Sequence, residues 1–135
     1  MTIAVVTGRT TTPAMKRPSM GQVPACSSLA VDSSTGRLLY TLARIGRPEN
    51  IVEFGTSHGI STCYLAAAVK DNGKGRVIAT ELLPEKAEAS RVNLTRAGLQ
   101  QHVEIRVGDA LITLDSDLPE EIDFVFLDGD KELYT

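Results

Sequence analysis

The sequence predicts an α/β fold, a parallel sheet flanked by helices, and three observations carry that expectation. From residue 50 onward, short apolar runs of strand length alternate with segments of helical periodicity. Glycine and proline mark most of the junctions between them. The last run, Asp123 to Leu127, reads Asp-Phe-Val-Phe-Leu and is apolar at successive positions, as in a strand covered on both faces.

Each element has its own signal. Residues 33–45 read as a helix whose apolar face carries Leu38, Leu42 and Ile45, ended by Gly46 and Pro48. Residues 50–54 form a first strand, followed by a glycine-containing turn and a helix over 60–70 with Leu65, Ala66 and Val69 facing inward. Residues 76–80 form a second strand. Residues 84–97 form the next helix, with Pro84 suited to its first turn and Gly98 to the position just past its end. A third strand at 103–107, a short helix near 110–114 and a fourth strand at 123–127 complete the pattern. Strands joined through helices run parallel. With about four strands the sheet is incomplete, and the apolar edge of the fourth is expected to be covered by strands beyond Thr135.

Residues 1–30, rich in Thr, Ser, Pro and Gly, are expected to form a partly disordered N-terminal arm, and residues 31–135 the α/β domain. A chain of 135 residues with 42% hydrophobic and 23% charged residues suits one soluble core. The net charge of −3 argues against a broad phosphate-gripping face. Cys26 and Cys63 have neither disulfide-framework nor zinc spacing. No apolar run spans a bilayer and no secretory leader is legible, so a reducing cytoplasm is the expected compartment.

In open α/β sheets, ligands bind at the carboxyl ends of the strands. Here those ends carry Glu53 with Gly55 to Gly59, then Glu81, then Gly108-Asp109-Ala110, then Asp128 to Lys131. Four successive strands thus deliver acids or glycines to one rim. The turn Gly-Thr-Ser-His-Gly-Ile lacks the G-x-G-x-x-G of dinucleotide binders, because Ser57 takes the second glycine place. No Gly-Lys-Ser/Thr phosphate loop is present. Glu53 and Glu81 disfavour a polyphosphate and suit a ligand with hydroxyls and an ammonium group. S-adenosylmethionine has these groups and no phosphate.

The segment Ile51 to Thr62 resembles the first motif of class I methyltransferases, and more narrowly that of the catechol and caffeoyl-CoA O-methyltransferases and their bacterial relatives. Val77 to Glu81, Val107 to Ala110 and Phe126 to Tyr134 are similar to three further motifs of that family, in order, so the resemblance spans about residues 34–135. It implies a Rossmann-like sheet. It also implies that Glu53, Gly55, Ser57, Gly59 and Ser61 border the methionine end of S-adenosylmethionine and that Glu81 holds the ribose. Leu82, Asp109 and Ala110 would line the adenine. Asp128 would ligate a divalent metal, usually magnesium, and Lys131 would take a proton from the acceptor hydroxyl. The family's second pair of metal ligands would fall after Thr135, leaving catalysis by this chain alone open. The implied acceptor is a small catechol- or phenol-like molecule, with a tRNA uridine derivative as an alternative weakly favoured by Lys16 and Arg17, and the implied assembly is a homodimer. From the residues themselves, Asp109 also suits the cap of the helix after it, and Lys131 also suits a solvated surface.

Overall fold

The computed structural model describes residues 3–6, by their backbone, and residues 32–128. The strands are β1 (Ile3–Val6), β2 (Asn50–Phe54), β3 (Arg76–Glu81), β4 (Val103–Val107) and β5 (Phe124–Leu127). The helices are α1 (Ser33–Gly46), α2 (Ile60–Asn72), α3 (Pro84–Arg96) and the single turn α4 (Ala110–Thr113), with a 3-10 turn at Gln100–His102. All strand pairings are parallel, in the order β1-β5-β2-β3-β4. The parallel sheet flanked by helices that the sequence predicts is therefore present. Strand order runs outward from β2 through β3 to β4, then reverses as β5 pairs on the other side of β2. That reversal is the switch point where open sheets of this kind form a crevice.

The sheet has one strand more than expected. Ile3–Val6, inside the stretch read as an arm, pairs with β5 in the register Ile3 to Phe124 through Val6 to Leu127. The apolar edge left open by the sequence is thereby paired by the chain's own N-terminal segment, which removes an exposed row of backbone donors and acceptors. Cys26, Lys16 and Arg17 lie outside the described residues.

The core joins Ile51, Val77, Ala79, Phe124 and Phe126 of the strands to Leu39 and Ala43 of α1, Leu65, Ala66, Ala68 and Val69 of α2, and Leu94 of α3. Cys63 is a free thiol packed partly buried against it. At the base of the sheet, the Asp123 carboxylate accepts from the backbone N–H groups of Glu49 and Asn50 at 3.0 and 3.1 Å, so β5 begins one residue later than predicted. Those two bonds hold its carboxyl below the usual range.

One helix is rotated relative to expectation. The spacing of Leu38, Leu42 and Ile45 predicts that they face the core. Of these only Leu42 packs, partly buried, against the core; Gly36, Leu39 and Ala43 are buried, while Leu38 is 53% and Ile45 75% exposed. The cause is the close approach of α1 to α2. A Cβ at Gly36 would lie 2.2 Å from Tyr64 Cε2, so the face bearing Gly36 lets Tyr64 of α2 pack directly on the α1 backbone. Leu39→Ala should therefore destabilise the fold by about 2–5 kcal/mol through a core cavity. Ile45→Ala should change it by less than about 0.5 kcal/mol. Urea denaturation of the two variants checks this, and the reverse ranking would mean that α1 presents its other face.

Candidate functional site at the strand tips

The carboxyl ends of the strands are stitched together by backbone hydrogen bonds. The N–H groups of Gly55 and Thr56 donate to the Thr80 carbonyl at 3.2 and 2.8 Å. Gly108 N–H donates to the Glu81 carbonyl at 2.9 Å, and Asp128 N–H to the Phe54 carbonyl at 3.0 Å. The four motifs picked out along the sequence thus meet at one rim.

The turn between β2 and α2 needs left-handed backbone three times in five residues. Gly55 has φ 88° and Gly59 φ 84°, values that glycine adopts freely, but Ser57 between them has φ 51°. At Gly59 a side chain is excluded twice, because its Cβ would also lie 2.3 Å from Ser90 Oγ on α3. Ser57 is held by its backbone N–H, which donates to Glu81 Oε2 at 2.7 Å. The other carboxylate oxygen, Oε1, accepts from Leu83 N–H at 3.1 Å. Glu81 is 7% exposed, so it is no surface charge at the start of α3.

Glu53 is fully buried. Ser61 donates to its Oε1 and Thr62 to its Oε2. Each hydroxyl has one proton to give. Thr62 Oγ1 also shares a hydrogen bond with Thr56 Oγ1, which in turn meets Ser90 Oγ at 3.4 Å. A chain of hydroxyls therefore links α3 through the turn to the Glu53 carboxyl. Burial, with the charges of Asp128 and Glu81 as smaller contributions, pushes the Glu53 carboxyl up to about 7 against the lowering effect of Ser61 and Thr62. Glu53 and Ser61, expected to border the ligand, face each other beneath the turn. Thr56, Thr62 and Ser90 were not singled out in the sequence. The available signal for Thr62 was a pair of hydroxyl residues opening a helix whose next inward positions, Leu65 to Val69, are apolar.

On the far side of the rim, Asp109 caps α4, its Oδ1 accepting from Leu111 N–H at 2.9 Å, and Ala110 is buried. Leu82, Leu111 and Ile112 are exposed there. Arg106, also not anticipated, donates to the carbonyls of Thr113, Ser116 and Asp117, each at 2.8 Å, and so shapes the loop after α4. His58 lines the turn, its Nδ1 3.2 Å from Ser57 Oγ and its carbonyl accepting from Asn93 of α3 at 2.8 Å. Lys131 lies outside the described residues. Among the described residues, no group of three or more His, Cys, Asp or Glu is placed to hold a metal ion.

The state of Glu53 has a measurable consequence. Its carboxyl is raised from an ordinary 4.5 to about 7, so between those values the folded chain holds more proton than the unfolded one. Stability should fall as pH rises through that window, by on the order of 3 kcal/mol. The carboxyls held low, Asp32 and Asp123, titrate below it. Gln at position 53 can donate to one hydroxyl and accept from another, so Glu53→Gln should keep the fold and flatten the slope. Urea midpoints at pH 5 and pH 8 for both proteins test this, and an equal drop in the two would refute it.

Comparison with known proteins agrees with this geometry. Residues 52–133 match the methyltransferase domain family. The chain is 41% identical over 104 residues to a catechol O-methyltransferase of Mycobacterium tuberculosis, a stretch covering 77% of this chain and 46% of that protein. The O-methyltransferase TomG from Streptomyces achromogenes, solved in complex with SAM, matches with a TM-score of 0.70 at 37% identity, over 78% of this chain and 48% of that one. An O-methyltransferase from Bacillus cereus in complex with SAH also gives a TM-score of 0.70, at 36% identity and the same coverage. The chain spans about half the length of the curated relatives it matches. The family match takes in the glycine turn, Glu81, Asp109 and Asp128 together, and the chain belongs to the methyltransferase domain family.

Proposed function

We propose that this chain binds S-adenosylmethionine across the tips of β2, β3 and β4, as part of an O-methyltransferase acting on a hydroxyl of a small catechol- or phenol-like molecule. The observation that carries this reading is the bond between Ser57 N–H and the Glu81 carboxylate, which holds Glu81 beside the glycine turn. A carboxylate has room for about four donors. Ser57 and Leu83 use two positions of Glu81, and the others suit the two hydroxyls of a ribose. Exposed Leu82, with Leu111 and Ile112 next to capped Asp109, suits the flat apolar face of adenine. α2 starts at Gly59 without a side-chain cap, so its N-terminus favours the ligand's carboxylate. The nearby charges of Glu81 and Asp128 favour its cationic groups.

When bound, the cofactor supplies a methyl group on an electrophilic sulfonium. The chain's own residues then bind and orient it, with Asp128 beside the methyl donor and Lys131 as the base for the acceptor hydroxyl. Asp128 alone is at most one metal ligand, and the described residues do not complete a magnesium site. A homodimer in the reducing cytoplasm belongs to the same proposal. Among the described residues, no helix is long and apolar enough to cross a membrane.

Isothermal titration with S-adenosylhomocysteine is the direct test, and saturable binding is expected. Glu81→Ala should weaken it by about 1–3 kcal/mol through loss of charge-assisted hydrogen bonds. No binding by the wild-type chain would end the proposal, and an unchanged affinity in the variant would place the ribose elsewhere. Labelled methyl transfer to catechol, with and without magnesium, tests the acceptor class. Binding without transfer would confine this chain's part to holding the cofactor.

A further inference from the structure

We infer that Glu81 is also a positioning residue, whose carboxylate holds Ser57 in the left-handed conformation on which the glycine turn depends. This second role rests on the cofactor reading for its functional consequence, but not for its geometry. Ser57 is the one non-glycine among the three left-handed residues of the turn, at φ 51°. That conformation is unfavourable for a residue with a Cβ, and isolated cases persist only where surroundings hold them. Here the holding contact is visible. Ser57 N–H points at Glu81 Oε2 at 2.7 Å, within the range of charge-assisted bonds, and Glu81 is nearly buried. The acid is itself clamped, because Leu83 N–H donates to its other oxygen at 3.1 Å. Its backbone is fixed as well, since its carbonyl accepts from Gly108 N–H at 2.9 Å. The carboxylate therefore ties the turn after β2 to the loop after β3, so that the surface a ligand meets is formed in advance of binding.

A glycine at position 57 would need no such hold, and this gives a double-mutant cycle of wild type, Glu81→Ala, Ser57→Gly and the pair. In the serine background, Glu81→Ala should weaken S-adenosylhomocysteine binding by about 5- to 150-fold. In the glycine background the same change should weaken it by a factor about three to ten times smaller. The residue of the loss is the direct contact with the ligand. Equal factors in both backgrounds would overturn the inference. A ligand-free readout separates this from failure of the cofactor reading: hydrogen exchange at the Ser57 amide should speed up about tenfold or more in Glu81→Ala. It should speed up less in Glu81→Gln, whose single amide oxygen is shared between the N–H groups of Ser57 and Leu83. If exchange at that amide is the same in wild type and Glu81→Ala, the positioning role is wrong whether or not the ligand binds. If Glu81→Ala does not fold, Glu81→Gln decides: exchange at Ser57 faster than in wild type upholds the role, and unchanged exchange overturns it.

Discussion

The rim of this sheet depends on one buried carboxylate, that of Glu81, accepting backbone N–H groups from two different loops. An anion with acceptors on both sides can fasten backbone segments that have no side chains in common, and near-exclusion from water strengthens each bond. The parallel register makes this possible. Phe54 stands opposite Thr80 and Glu81 opposite Val107, so the strands end level and their following turns can reach one another. A slip of one residue would point Glu81 to the other face of the sheet.

Beneath that rim the protein brings Glu81 and Asp128 near enough to Glu53 for their charges to act on its carboxyl. They are kept together in two different ways. Glu81 stays bound to backbone donors, whereas Glu53 is sealed among hydroxyls and pushed toward its protonated form. An acidic rim of this kind suits the cofactor proposed above, which offers a diol and a cation and carries no phosphate. The hydroxyls of Thr62, Thr56 and Ser90 join the buried acid to α3 through the turn.

Legibility followed sequence distance. The strands and helices from residue 50 on were readable because their periodicity and punctuation are local, and so were the strand-end acids and the glycines of the turn. The burial of Leu65, Ala66 and Val69 on α2 was readable for the same reason. The face of α1 was legible only at Leu42, because Leu38 and Ile45 are as apolar as Leu39, which is buried in their place. Nor was the pairing of Ile3–Val6 with β5 legible, since four apolar residues amid Thr, Ser and Pro carry no signal of a partner about 120 positions away.

By itself the sequence determined the fold class, the succession of strands and helices, and which residue types stand at the strand ends, since these follow from short-range patterns of apolar, glycine and acidic residues. Tertiary structure alone decided which of those residues touch. Ser57 meets Glu81 across 24 positions, Thr56 meets Ser90 across 34, and Glu53 turns to Ser61 and Thr62 instead of to the open rim. Such contacts are set by register, by how closely helices approach, and by the need of every buried polar atom for a partner. None of these is a property of any one stretch of chain.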